Sequence, residues 1–118
     1  MSADPCPFCE IVADRAPAVF KRRWTDTIAI VPLEPVTDGH LLVIPHEHVS
    51  DVRDNEYLAG RTMQRAASLV SGWTQDVNIV GSAGPAASMT VPHLHLHVVP
   101  RRHGDGLHLP WTGQGARP

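Results

Sequence analysis

Residues 91–100 are Val91-Pro92-His93-Leu94-His95-Leu96-His97-Val98-Val99-Pro100, so three histidines alternate with aliphatic residues. Alternate side chains of a β-strand project to opposite faces. A strand would place the three histidines on one face and Leu94, Leu96 and Val98 on the other, whereas a helix would scatter them. The pattern therefore predicts a strand with one face on the core and a row of imidazoles lining a cleft. That layout is typical of metal binding or of nucleophilic and proton-transfer chemistry.

The length and charge of the chain indicate a single domain without a broad basic surface. At 118 residues it can build one hydrophobic core but is too short for two. Its formal net charge of -2 argues against extensive nucleic-acid binding. Two basic clusters, Lys21-Arg22-Arg23 and Arg101-Arg102, could each contact a phosphate, but a solvated strand end and a loop explain them better.

Hydropathy and cysteine content favour a cytoplasmic protein that does not bind membranes. No apolar run is long enough to span a bilayer, and the N-terminus lacks a basic region followed by an apolar stretch. Cys6 and Cys9 are the only cysteines, and two closely spaced thiols suggest a metal site or a redox pair rather than a structural disulfide. A thioredoxin-like role is disfavoured because no βαβ unit surrounds the pair, but zinc binding and simple burial both stay open.

Local patterns predict an α+β domain in which helices pack on an antiparallel sheet. A short helix can form over Cys6 to Ala13, with Asp4 or Pro5 near its start. The segment His40 to Ile44 is almost wholly apolar, which predicts a central strand buried on both faces and stopped by Pro45. The other predicted strands are Ala18 to Trp24, Thr27 to Val31 and Val77 to Val80.

One long helical pattern covers Asn55 to Trp73, where residues recur near a 3.6-residue period. We expect this stripe to be core; its members are Leu58, Met63 or Thr62, Ala66, Leu69, Val70 and Trp73. A loop of small residues, Gly81 to Ser88, leads into the histidine segment. The tail from His103 to Pro118 should be loop or partly disordered, except around Leu107 to Trp111.

Several segments, in order, resemble the histidine triad (HIT) superfamily. They are the histidine row, the opening Cys6-Pro7-Phe8-Cys9-Glu10-Ile11-Val12, the strand Asp38-Gly39-His40-Leu41-Leu42-Val43-Ile44-Pro45-His46-Glu47-His48, and Pro100-Arg101. The resemblance implies a HIT-like α+β fold: a five-stranded antiparallel sheet with one short N-terminal helix and one longer helix. It also implies a single domain over 1–118, with its core at about 6–102 and a loop-like tail over 103–118, usually paired as a homodimer. Residues Leu107 to Trp111 would then pack near the cleft or the interface.

The same resemblance assigns catalytic roles. An imidazole can attack phosphorus, and in HIT enzymes the middle histidine forms a nucleotidyl-histidine intermediate that water resolves. His95 has that position here, His97 would hydrogen-bond the phosphate, and His40 would support the cluster from behind. An inert or metal-bound imidazole is the alternative for His95, and a structural histidine the alternative for His40. The candidates for nucleotide and phosphate binding are Ser82, Ser88, Met89 and Thr90 near the histidine segment, with Phe8 and Ile11 in the opening helix.

A structural Zn²⁺ site is also implied, because some HIT proteins with a Cys-x-x-Cys opening use it to bind zinc. The matching ligands here are Cys6, Cys9, His48 and His93, a complete Cys₂His₂ set. The neighbouring His46 is the alternative to His48.

This chain departs from the family where the nucleotide is held. The acidic residue that usually accepts hydrogen bonds from the ribose is replaced by Pro32, and Glu34 is offset by two residues. The usual Asn and Gln of the phosphate loop are Ser82 and Met89. Hydrolase chemistry is thus better supported than the identity of the substrate.

We therefore interpret the chain as a zinc-stabilised, HIT-like nucleotide hydrolase or nucleotidyl transferase. Its substrate would be a small nucleotide phosphoramidate, phosphoanhydride or ester. One alternative is a non-catalytic nucleotide-binding or regulatory module. Another is a metalloenzyme in which His93, His95 and His97 share one metal, but three same-face residues of one strand spread over about 13 Å, too far for a single ion.

Overall fold

A five-stranded antiparallel sheet in the order β1-β2-β3-β5-β4 forms the frame of the molecule. The computed structural model describes residues 5–111. Asp4, one of the two residues expected near the start of the first helix, and the last seven residues of the tail therefore lie outside the described part. The strands are β1 (Val19–Arg23), β2 (Thr27–Val31), β3 (Leu41–Pro45), β4 (Asp76–Gly81) and β5 (Leu96–Arg101). The architecture confirms the predicted fold class, and β3 is the central strand, with all five of its residues buried.

Two helices flank the sheet. The short helix α1 (Pro7–Val12) has Cys6 as its N-cap, whose Sγ accepts a hydrogen bond from the Cys9 N–H at 3.4 Å. Pro5 immediately precedes this cap and so lies near the start of the helix, as predicted. The long helix α2 (Glu56–Val70) begins after Asn55, whose side chain accepts from the Leu58 N–H at 3.0 Å. It ends before Gly72, at φ +82°, so it is shorter than the predicted Asn55 to Trp73.

The sheet buries an apolar layer on each face, because successive residues of a strand point to opposite sides. One layer joins Ala29, Leu41, Val43, Leu96 and Val98 to Ala66 of α2. The other joins Ile28, Ile30, Leu42 and Ile44 to Phe8 of α1. Each helix thus covers one face, and β3 contributes side chains to both layers.

The stripe predicted for α2 is only partly core. Thr62 and Ala66 are buried, and Leu69 and Val70 pack against the same layer. Met63 is 43 % exposed, which settles the choice between it and Thr62, and Trp73 is 38 % exposed. Trp73 was wrongly included because it lies beyond the last turn of the helix, where the helical period no longer sets its direction.

The prediction of a strand over 91–100 is wrong in its first half, since β5 begins at Leu96. Pro92 has no N–H to donate, the His93 N–H bonds the Val91 carbonyl at 2.8 Å, and the Leu94 N–H bonds the Val49 carbonyl at 2.7 Å. These bonds replace ladder pairing with β3 or β4. Leu94, Leu96 and Val98 are nevertheless buried as expected.

The connections around β5 are short and turn-rich. The small-residue loop contains a 3₁₀ turn, Pro85–Ala87, followed by Ser88 in the left-handed conformation at φ +69°. After β5, Arg101 donates to the Asp105 carboxylate at 2.8 Å and to the Leu107 carbonyl at 2.8 Å, which holds the described tail beside the start of β4. Among residues 5–111, no helix has the length and hydrophobicity needed to cross a bilayer.

Candidate active site and zinc cluster

Four metal-ligating side chains converge at one end of the sheet. Cys6 and Cys9 come from the start of α1, His48 from the loop after β3, and His93 from the segment before β5. Their ligand atoms all lie within 4.8 Å of one another. The distances from Nδ1 of His93 are 3.4 Å to the Cys6 sulfur and 3.1 Å to Nδ1 of His48, and the Cys9 sulfur lies 3.3 Å from Nδ1 of His48.

These separations suit tetrahedral zinc. With Zn–S near 2.3 Å and Zn–N near 2.0 Å, ligand atoms of a tetrahedral site stand roughly 3.3–3.8 Å apart. The four side chains therefore form a cluster compatible with a structural zinc site. His46 is not part of this cluster, so the geometry selects His48.

The protonation of His93 is also set for metal binding. Its Nε2 lies 2.9 Å from the Pro45 carbonyl, which can only accept, so Nε2 carries the proton and Nδ1 keeps its lone pair toward the sulfurs. Burial and the adjacent Cys6 thiol raise the pKa of Cys9 to about 11. A bound cation would stabilise the Cys9 thiolate and so favour its ionisation near neutral pH.

The middle histidine, His95, has a defined tautomer. Its Nδ1 lies 2.7 Å from the carbonyl oxygen of His93, so Nδ1 donates and Nε2 carries the lone pair. In the part of the chain that the structure describes, Nε2 has no hydrogen-bond partner. The ring is 8 % exposed and is packed edge-on against Phe8, with the two centroids 5.0 Å apart.

His97 and His40 lie beside this imidazole. The His97 ring centroid is 5.1 Å from that of His95, and Nε2 of His40 is 3.0 Å from Nδ1 of His97. Burial lowers the pKa of His95 and of His40. Burial, and then the neighbouring His95 and His40, lower the pKa of His97 to about 4. All three rings are therefore neutral at pH 7, as a nucleophilic imidazole requires.

The other candidate residues lie on the loop from β4 to His93, on α1 and on the loop between β2 and β3. Ser88 and Thr90 are exposed, whereas Ser82 and Met89 are half-buried, on the loop from β4 to His93. The Met89 N–H bonds the Gly84 carbonyl at 3.3 Å, which curls this loop upon itself. Phe8 is buried between His95 and the core, and Ile11 packs beside it. Pro32 is half-buried and Glu34 exposed in the loop between β2 and β3.

The three histidines do not share one metal site in this arrangement. His93 belongs to the cysteine cluster, Nδ1 of His95 is bonded to a carbonyl, and Nδ1 of His97 is bonded to His40. Within residues 5–111 the cysteine cluster is the one group of three or more side chains with metal-ligand geometry. This speaks against the His-rich metalloenzyme.

Sequence reasoning missed the main-chain groups of the site. The carbonyls of Pro45 and His93 fix two ring tautomers, and the Val36 N–H donates to Nδ1 of His40 at 3.0 Å. Every residue has a carbonyl and nearly every one an N–H, so residue type carries no signal for these contacts.

Comparison with known proteins assigns the family. The HIT domain model matches residues 16–104, and the chain belongs to the HIT family. An uncharacterized HIT-like protein of Mycobacterium tuberculosis is 40% identical over 110 residues, covering 87% of this chain and 76% of that protein. The adenosine 5'-monophosphoramidase of Saccharomyces cerevisiae is 29% identical over 113 residues, covering 92% of this chain and 71% of the yeast enzyme. Nucleotide hydrolases are thus among the relatives of this chain.

A solved structure supports both the fold and the metal site. The zinc-bound histidine triad family protein from Mycobacterium smegmatis superposes with a TM-score of 0.74 at 43% sequence identity, covering 88% of this chain and 80% of that one. Together with the donor set described above, this likeness supports structural zinc as the cofactor of the Cys6, Cys9, His48 and His93 cluster.

Proposed function

We propose that this protein hydrolyses or transfers the nucleotidyl group of a small nucleotide phosphoramidate, phosphoanhydride or ester through a covalent intermediate on His95. The observation that carries the proposal is the hydrogen bond from Nδ1 of His95 to the His93 carbonyl. It leaves a neutral ring with its lone pair on Nε2, beside the imidazole of His97. The relation to the yeast phosphoramidase supports a nucleotide as the substrate.

The proposed reaction has two displacements at phosphorus. First, the lone pair of His95 Nε2 forms a bond to the α-phosphorus, the bond to the leaving nitrogen or oxygen breaks, and that atom takes a proton from solvent. Second, a water oxygen bonds to the phosphorus, the P–N bond returns its electron pair to Nε2, and the water releases a proton to solvent. The net reaction consumes one water; an acceptor alcohol or amine in place of that water gives transfer.

The groups around His95 would stabilise charge and hold the nucleotide. Negative charge builds on the phosphate oxygens in each step and calls for nearby hydrogen-bond donors. His97 and the Thr90 and Ser88 hydroxyls would supply these, with Ser82 and Met89 on the same loop. The Ser88 and Met89 N–H groups already bond carbonyls within that loop. Phe8 and Ile11 give the apolar wall on the α1 side, where a base can rest.

Zinc would stabilise this site without taking part in the chemistry. Cys6, Cys9, His48 and His93 would supply all four positions of a tetrahedral ion, which leaves none open for substrate or water. Its contribution would be to fix His93, whose carbonyl orients the nucleophile.

Intact-mass spectrometry tests the covalent step. Protein mixed with a nucleoside phosphoramidate is quenched within milliseconds in alkaline denaturant, because the phosphorus–nitrogen bond of phosphohistidine breaks in acid. We expect an adduct of one nucleotidyl group on wild-type protein and on the control His103→Ala, an exposed tail histidine, and none on His95→Ala. His95→Ala should also reduce kcat by at least about a thousandfold.

Two outcomes would reject the proposal. An adduct of equal yield on His95→Ala would move the nucleophile elsewhere. Nucleotide binding by wild type with neither adduct nor turnover would favour the non-catalytic binding module, which the unusual Ser82 and Met89 in the loop keep as the second candidate.

A further inference from the structure

We infer that the main-chain N–H of Val36 acts, through His40, as the positioning group that makes His97 a hydrogen-bond donor to the substrate phosphate. The inference rests on the proposed function, because it concerns the separate roles of His95 and His97 in the same site. It assigns a role to the loop between β2 and β3, which is connected to His97 through His40.

The first link is between Val36 and His40. The Val36 nitrogen lies 3.0 Å from Nδ1 of His40. A backbone N–H can only donate, so Nδ1 of His40 must present its lone pair. A neutral His40 then has its proton on Nε2.

The second link is between His40 and His97, and it sets the tautomer of His97. Nε2 of His40 lies 3.0 Å from Nδ1 of His97. Because Nε2 of His40 carries a proton, it donates, and Nδ1 of His97 accepts. A neutral His97 has one N–H proton on its ring, and this proton is therefore on Nε2, the nitrogen that does not face His40.

Burial protects both links. His40 is 4 % exposed, so water does not compete for its ring nitrogens. Burial also lowers the pKa of both rings, and the neutral forms assumed above are the ones present at pH 7. A protonated His40 would have a hydrogen on Nδ1 and would lose the bond from Val36.

The result is a pair of adjacent imidazoles in opposite tautomers. His95 is protonated on Nδ1 by its bond to the His93 carbonyl, so its Nε2 is a nucleophile. His97 is protonated on Nε2 and can donate to an oxygen of the phosphate. One backbone carbonyl and one backbone N–H thus set the two roles, although the residue type is the same.

Nitrogen-15 NMR of histidine-labelled, substrate-free protein reads the tautomers directly, because protonated and unprotonated ring nitrogens differ widely in chemical shift. Val36→Pro removes the N–H, and Val36→Ala keeps it as the matched control. We expect His97 protonated on Nε2 in wild type and Val36→Ala, and a mixture of His97 tautomers in Val36→Pro. In the phosphoramidate assay, Val36→Pro should lower kcat about tenfold with KM changed less than about twofold, and Val36→Ala should stay within about twofold of wild type.

A second pair of variants, His40→Gln and His40→Leu, provides the same test if Val36→Pro does not fold. The amide of His40→Gln can accept from Val36 and donate to His97, so the His97 tautomer should be retained, whereas His40→Leu should lose it. His97 protonated on Nδ1 in wild type, or an unchanged His97 tautomer in both Val36→Pro and His40→Leu, would overturn the inference. Wrong tautomers with normal adduct formation would reject this inference alone, and expected tautomers without an adduct would reject the proposed function alone.

Discussion

His93 contributes both to the metal-ligand cluster and to the positioning of His95. Its ring faces the cysteine sulfurs through Nδ1, and its carbonyl accepts the proton that fixes His95. The ring is itself held by the Pro45 carbonyl at the end of β3. Movement of His93 would therefore disturb both the metal ligands and the nucleophile, so rigid placement of this one residue serves stability and chemistry together.

The lowered pKa of His97 predicts a loss of stability in acid. An unfolded histidine takes up a proton near pH 6.5, whereas burial and the neighbouring imidazoles hold the folded His97 neutral down to about pH 4. The unfolded state therefore binds more protons between these values, and stability must fall as pH falls from 6.5 to 4. One such proton changes the free energy of unfolding by at most about 1.4 kcal/mol per pH unit.

Urea unfolding at several pH values, with zinc in excess, measures this dependence. His97→Gln can still accept a hydrogen bond from His40 but cannot titrate, so its stability should decline less steeply than that of wild type between pH 6.5 and 4. Above pH 6.5 the two curves should run parallel. Equal slopes below pH 6.5 would show that His97 titrates alike in the folded and unfolded chains.

Pro32 predicts weak recognition of the sugar. A carboxylate bonded to ribose hydroxyls contributes about 1.5–3 kcal/mol per charge-assisted bond, and Pro32 offers neither a charge nor an N–H. We expect kcat/KM to differ less than about tenfold between a ribonucleoside phosphoramidate and its deoxy counterpart, because each factor of ten needs about 1.4 kcal/mol.

Glu34, exposed two residues away, is the one obvious substitute, so the comparison is made in wild type and Glu34→Ala. Pro32→Asp, which restores the usual acidic residue, should raise the ribose preference. A wild-type preference above about a hundredfold that survives Glu34→Ala would refute loose sugar recognition.

At the scale of elements, the sequence predicts where regular strands lie but not which segments distant in sequence pair with each other. The β-branched and aliphatic composition of β2 and the apolar run of β3 are local features, and both strands are predicted within one residue. The segment before Leu96 alternates as a strand does, yet it bonds Val49 instead of a neighbouring strand, a pairing that depends on residues distant in sequence. The same limit explains the main-chain partners of the site, such as Val36, which no residue pattern could reveal.

We expect helix α1 to depend on the zinc cluster for its stability. Six residues are far fewer than an isolated helix needs in water, and two of the four metal ligands lie at its first turn. Loss of zinc would release this turn and uncover Phe8, which closes one layer of the core and supports His95. We therefore expect Cys9→Ser or chelation to lower the melting temperature by about 10 °C or more.

His46→Ser is the matched control, since His46 lies two residues from His48 but outside the cluster. It should keep one zinc per chain and the wild-type melting temperature. At a permissive temperature Cys9→Ser should retain more than about a third of the activity, because the ion has no open position for chemistry. Absence of zinc by elemental analysis, in protein purified without chelator, would reject the assignment.

At the scale of the whole molecule, the two edges of the sheet differ in chemistry. β1 carries Lys21, Arg22 and Arg23 in succession, so two copies paired along this edge would oppose like charges. β4 is charged only at Asp76, and its remaining side chains are aliphatic, Asn or Gly. Of the two edges, β4 is the one that can pair with a second copy across a two-fold axis.

We propose on this basis that the protein is a homodimer that uses the β4 edge, and light scattering at tens of micromolar should give twice the monomer mass. Val80→Lys places a charge on β4 in both copies and should shift the protein toward monomer. Val19→Lys makes the same change on the exposed edge strand β1 and should leave the dimer intact. Because β4 also pairs with β5 along its whole length, the melting curve of Val80→Lys must show a folded monomer for the comparison to count. A monomeric wild type would exclude the dimer, and dissociation by Val19→Lys with an intact Val80→Lys dimer would place the interface on β1 despite its charge.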